Sequence, residues 1–158
     1  LRKGSGEMYE SYTRQALPSK EYRELLGTAL CVFNSNNAFI IENILHMRNT
    51  QSHWYNLMDK ESGGVSKEFK NEIENNITNG GQAIADLFSD LVERRNRIIH
   101  GFQITNNDGE QILATKTKVK DGNKQFIITK KYLMQFIKDN EKLSSLLHDY
   151  RKSVAAIG

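Results

Sequence analysis

The chain has 158 residues, with 22 basic and 19 acidic side chains, a formal net charge of +3, and hydrophobic and charged fractions of 38% and 26%. Those values fit one soluble globular domain with a real core, and they exclude a disordered chain or one whose charge alone demands a polyanionic partner. No apolar run reaches the length of a membrane span and no secretory core is visible near Leu1, so a cytoplasmic protein without membrane contact is expected.

Residues 1–18 read as a weakly structured N-terminal segment, flexible at Gly4-Ser5-Gly6, with Met8, Tyr9 and Tyr12 forming a short helix. Residues 19–158 read as a single domain. Pro18-Ser19-Lys20-Glu21 is a helix start with Ser19 as N-cap and an acid in the first turn. The stripe Tyr22, Leu25, Leu26, Ala29, Leu30, Phe33, Ile40, Ile41, Ile44, Leu45 predicts one long helix to about Arg48. Cys31 lies within that segment and reads as a buried, inert thiol. A lone cysteine excludes an intrachain disulfide and a multi-cysteine zinc site. Asn36 and Asn37 interrupt the stripe, either as a hydrogen-bonded polar step or as an amide placed beside the motif described below.

The period fails from Asn49 to Ser66, where Gly63-Gly64 reads as a loop and Trp54, Tyr55, Leu57 and Met58 as a short element tucked onto the core. A helix is predicted over Lys67 to Thr78 through Phe69, Ile73 and Ile77, broken by Asn79-Gly80-Gly81. Another is predicted over Ala83 to Ile99. After His100 the period becomes two. Phe102 to Thr105, Gln111 to Val119 and Lys124 to Thr129 read as strands, with turns at Asn107-Asp108-Gly109 and Asp121-Gly122-Asn123. Thr129 caps a last helix carrying Leu133, Phe136, Ile137, Leu143, Leu147, Tyr150 and Val154. The fold class is therefore mainly α: an up-and-down helical bundle with a small β-meander, about residues 102–129, before the last helix. So short a meander must lean on the helices.

The sequence Arg95-Asn96-Arg97-Ile98-Ile99-His100-Gly101 is the most informative segment. Continuing the stripe Ile84, Leu87, Leu91 brings Arg95 to a position where an aliphatic residue is due. A charge there needs a carboxylate, a phosphate or a water-filled cleft, and Glu42 and Asp86 are the candidate carboxylates. His100 follows near the helix end, and Gly101 offers a left-handed terminating turn. A cationic fork and an imidazole suit phosphodiester chemistry: guanidinium can clamp phosphate oxygens, and imidazole can move protons near neutral pH. Asn96 stands one turn before His100, where it can orient the imidazole or the phosphate.

Arg95-Asn96, three intervening residues, then His100-Gly101 resembles the Arg-x4-6-His signature of the HEPN superfamily, and the flanking bundle-like helices agree over most of residues 19–154. The resemblance implies a small helical bundle, frequently a homodimer. It implies a metal-independent endoribonuclease of toxin–antitoxin or phage-defence type, with Arg95, Asn96 and His100 as catalytic residues, no cofactor, and an antitoxin or defence-system partner protein. The alternative it implies is a non-catalytic RNA- or nucleotide-binding, sensing and dimerisation module. The meander is an elaboration that many members lack. A subgroup has a modifiable Tyr two places after the motif His, where this chain has Phe102.

Arg95 and His100 are separated by about 140° and 7.5 Å on a regular helix, so one copy makes an awkward site and a twofold pair a better one. Arg94, Arg97, Lys116 and Lys118 are candidate nucleic-acid-binding residues, within a wider group of lysines that includes Lys120, Lys124, Lys130 and Lys131. The alternative for the lysines is a solvated sheet edge. His46, His53 and His148 show no metal-ligand spacing, and no metal is expected.

Overall fold

The structure, a computed structural model, describes residues 8–48, 54–75 and 80–155, with side chains described through 153. The expectations for Gly4 to Gly6, His53, Ile77, Asn79 and Val154 lie outside those residues. Among the described residues five α-helices, α1 (Lys20–Met47), α2 (Trp54–Met58), α3 (Ser62–Asn75), α4 (Gly81–Ile99) and α5 (Lys130–Ala155), accompany three strands, β1 (Phe102–Thr105), β2 (Gln111–Lys116) and β3 (Gln125–Ile128). The sheet is antiparallel in the order β1-β2-β3, with Phe102, Ala114 and Ile127 in one cross-strand row.

Both predicted N-caps are in place. Ser19 Oγ accepts from the Tyr22 amide at 3.2 Å, and Thr129 Oγ1 accepts from the Tyr132 amide at 3.0 Å. Helix α3 begins at Ser62, earlier than expected, and runs through Gly63-Gly64. The Glu61 carbonyl accepts from Gly64 N at 2.8 Å and Val65 N at 3.1 Å, which starts the helix at a turn where glycine is least costly. Helix α2 buries only Leu57; Trp54, Tyr55 and Met58 are exposed, because a five-residue helix offers a single inward position. Cys31 is exposed, correcting the expectation of a buried thiol. It sits about 200° around the helix from buried Ala29.

Pairings between helices fix their directions. Lys130 meets Glu21, Asn36 donates to Asn140, and Tyr150 reaches Met47, so α1 and α5 are parallel. Arg94 meets Asp139, while a Cβ at Gly81 would touch Tyr150, so α4 runs opposite to α5. Gly81 also abuts Ile73, and Ser66 and Asn96 share a cleft, so α3 opposes α4. The up-and-down expectation is thereby corrected: α1, α3 and α5 run one way and α4 the other. Helix α3 starts at the sheet end of the bundle, where Gly63 and Ser66 line a cleft with Lys118 and Lys120. At the far end Arg48 closes α1 onto α3 by ion pairs with Glu68, at 2.6 Å, and Glu72.

The centre of the bundle is a ring cluster, Phe33 stacked on Phe88 at 6.0 Å and on Phe136 at 6.2 Å. Asn36 is buried beside it and donates to the Asn140 backbone carbonyl at 2.8 Å and its Oδ1 at 3.0 Å. This is the polar-step reading of Asn36; its amide faces α5. The meander leans on the helices through Ile128, which is fully buried, and through Ile112 and Leu113. Tyr22 secures it: its hydroxyl donates to the Ile128 carbonyl at 2.6 Å and accepts from the Leu113 amide at 3.1 Å. The turn at Asn107-Asp108-Gly109 forms as expected. The β2–β3 connection is longer, with a 3-10 turn at Val119–Asp121 and positive φ at Gly122 and Asn123.

Candidate functional site

Helix α4 carries the motif. Ile84, Phe88, Leu91 and Ile98 are buried, and Arg95 stands in the same inward stripe. Its guanidinium carbon lies 5.5 Å from the centre of the Phe33 ring, and Nη1 makes a long 3.4 Å contact with Asn96 Oδ1. Its Nε is buried without a hydrogen-bond partner. Neither candidate carboxylate reaches it. Glu42 is exposed on α1, and Asp86 accepts from Gln82 Nε2 at 2.9 Å. Among the described residues Arg95 has no acidic partner. A half-buried guanidinium is thus held by a ring face and an amide, with no acidic counter-charge among the described residues.

Helix α4 stops at His100, whose backbone leaves the helical region at φ −90° and ψ 12° while its amide still donates to Asn96 O at 3.0 Å. Gly101 is not in the left-handed region expected of it. A Cβ there would lie 3.0 Å from the Ile98 carbonyl oxygen and 3.3 Å from that of Ala114. Glycine is needed because the helix end and β2 approach closely. His100 is exposed and lines a cleft of about 460 Å³ with Arg97, Phe102, Lys116 and Lys118.

Asn96 faces elsewhere. It lines a larger cleft, about 650 Å³, between α3, α4 and residues 118–121, so the expected placing of Asn96 where it could orient the imidazole is corrected: the two residues line different clefts. The last turn stays closed by the bond from the His100 amide to Asn96 O, and His100 lines the cleft beside the end of β2. Within one copy Arg95 therefore touches Asn96, while His100 lines a separate cleft.

The basic candidates also separate. Arg94 is turned to α5, its charge met by Asp139 at 2.8 Å and Asp90 at 3.0 Å, over the Phe136 ring at 5.7 Å. The Tyr132 hydroxyl donates to the Arg94 carbonyl at 3.4 Å, and burial raises its pKa. Arg97 pairs with Glu93 at 3.2 Å and donates to the Lys116 carbonyl, joining α4 to β2. Lys116 ends β2 and donates to Asn123 Oδ1 at 2.7 Å. Lys118 lies past the strand and pairs with Glu93 at 3.0 Å, so the two lysines do not project from one strand face. Both nevertheless line the His100 cleft.

Comparison with family models, curated proteins and solved structures finds no match. The site therefore stands on its own geometry. Among the described residues no cluster of three or more His, Cys, Asp or Glu could hold a metal ion, and no helix is long and apolar enough to cross a membrane. Sequence reasoning missed Glu93, the acid that both Arg97 and Lys118 share. Its spacing four residues before Arg97 was the available signal. Lys67 and Lys70 were also missed as cleft residues; they stand three apart on a helix whose start was placed too late.

Proposed function

We propose that this protein is a HEPN-type, metal-independent endoribonuclease acting as a homodimer on single-stranded RNA, with Arg95, Asn96 and His100 as its catalytic residues. The observation that carries the reading is Arg95: a guanidinium in the inward stripe of α4, half-buried, without an acidic partner among the described residues, and five positions before an exposed imidazole in a cleft. An arginine so placed favours a bound anion, and a phosphodiester is the anion an imidazole can act upon.

In the reaction a base removes the proton of the ribose 2′-hydroxyl, the oxygen attacks phosphorus, and the P–O bond to the 5′-oxygen breaks as that oxygen takes up a proton. His100 serves these proton transfers, and the arginine stabilises the charge on the phosphoryl oxygens. The separate placing of Arg95 and His100 argues for two copies: a second chain supplies the complementary groups. The reading includes a toxin- or defence-like role with a partner protein that neutralises the activity. Phe102 offers no hydroxyl for modification, so neutralisation proceeds by another route.

The same divergence favours a second reading, a non-catalytic RNA- or nucleotide-binding module. The two are separated by incubating labelled RNA with the purified protein in EDTA, alongside His100→Ala and Arg95→Ala, with thermal melts to confirm folding. Cleavage lost by at least about a hundredfold in each folded variant is expected. RNA bound but uncut by the wild type favours the second reading.

A further inference from the structure

The larger cleft has a lining suited to one class of ligand. Lys67 and Lys70 lie three residues apart on α3 and enter from one side, while Lys118 and Lys120 enter from the β2–β3 connection. Among the described residues Lys67, Lys70 and Lys120 have no ion-pair partner; Lys118 is held by Glu93 at 3.0 Å. Four lysines thus face two acids, Glu93 and Asp121, in a space of about 650 Å³. Asn96, of the motif, forms part of the wall. Among the described residues no aromatic side chain lines the space, so none there offers a face for base stacking. The neighbouring His100 cleft is different: it carries Phe102, 42% exposed. Lys118 lines both clefts and forms the junction between them.

We infer that the cleft between α3, α4 and residues 118–121 holds the sugar–phosphate backbone of a single RNA strand, which crosses at Lys118 so that a base stacks on Phe102 beside His100. This deepens the proposed function and rests on it. Lys67, Lys70 and Lys120 supply charge at separated points, as a strand with repeated phosphates requires. A cleft that reads phosphates and stacks no base binds without regard to sequence. Glu93 limits the affinity. Its carboxylate pairs with Arg97 and Lys118 at the junction, where a phosphate would otherwise compete for both cations.

The test measures binding of a short fluorescein-labelled oligouridylate by anisotropy over a range of salt, using His100→Ala throughout to prevent cleavage. Adding Lys67→Ala, Lys70→Ala and Lys120→Ala is expected to weaken binding at least about tenfold and to make the log–log salt slope shallower by about 2, as loss of three phosphate contacts predicts. The matching three Lys→Arg substitutions keep affinity within about threefold, because charge is retained. Glu93→Gln is expected to tighten binding and steepen the slope, since two cations are released. Unchanged affinity and slope in the folded triple Ala variant, with the parent still binding, overturns the cleft assignment and leaves the ribonuclease reading standing. A parent that binds no oligouridylate at all overturns both.

Discussion

Tyr22 links α1 to two strands through one hydroxyl, and its chemistry makes that link measurable. The group gives its proton to the Ile128 carbonyl and accepts from the Leu113 amide, so Tyr22→Phe strands both backbone groups in the interior. We expect a loss of about 2 kcal/mol, read from urea unfolding. Burial raises its pKa from 10.0, against a smaller lowering by the Leu113 amide. The unfolded chain then ionises first as pH rises. The contribution of Tyr22 is complete below pH 10 and declines from there through the folded pKa. Melting temperature should therefore fall more steeply above pH 10 in the wild type than in Tyr22→Phe; parallel curves would refute the link. Arg95 poses the opposite case at the same scale. Its charge is met by a ring and an amide, and the expected use of that deficit is the RNA phosphate probed by Arg95→Ala above.

At the scale of elements, α4 and the sheet meet where Gly101 removes a side chain. An alanine there would press on the carbonyls of Ile98 and Ala114, neither of which is a flexible neighbour. Gly101→Ala should cost about 1–3 kcal/mol in chemical denaturation. It should also reduce RNA cleavage, because the strain falls beside His100; a neutral effect on both would show that the strands yield. The helices and strands themselves were largely legible. Ser19, Thr129 and the apolar stripes carry local signals that the folded chain kept. The start of α3 was not, because Gly63-Gly64 has weak intrinsic preference and the packing of Val65 and Phe69 decides. The exposure of Cys31 is not legible locally, because its neighbours in sequence are apolar while its place around the helix is outward.

For the molecule as a whole, the decisive property is how many copies make the site. One copy sets Arg95 against Phe33 and Asn96, while His100 lines a separate cleft. The proposed mechanism therefore expects a homodimer in sedimentation at micromolar concentration, and a monomer there would count heavily against it. Composition, charge and periodicity alone determined a mainly helical chain with a late three-stranded meander, and they marked Arg95 as a charge in an apolar stripe. These are properties of local spacing, which survives folding unchanged. Only the tertiary structure decided that α1 and α3 run the same way, that Arg94 serves α5, and that Lys67, Lys70 and Lys120 surround one space with Asn96. Each depends on which distant surfaces bury one another and which acids they bring within reach of a cation, and residue spacing carries no record of that.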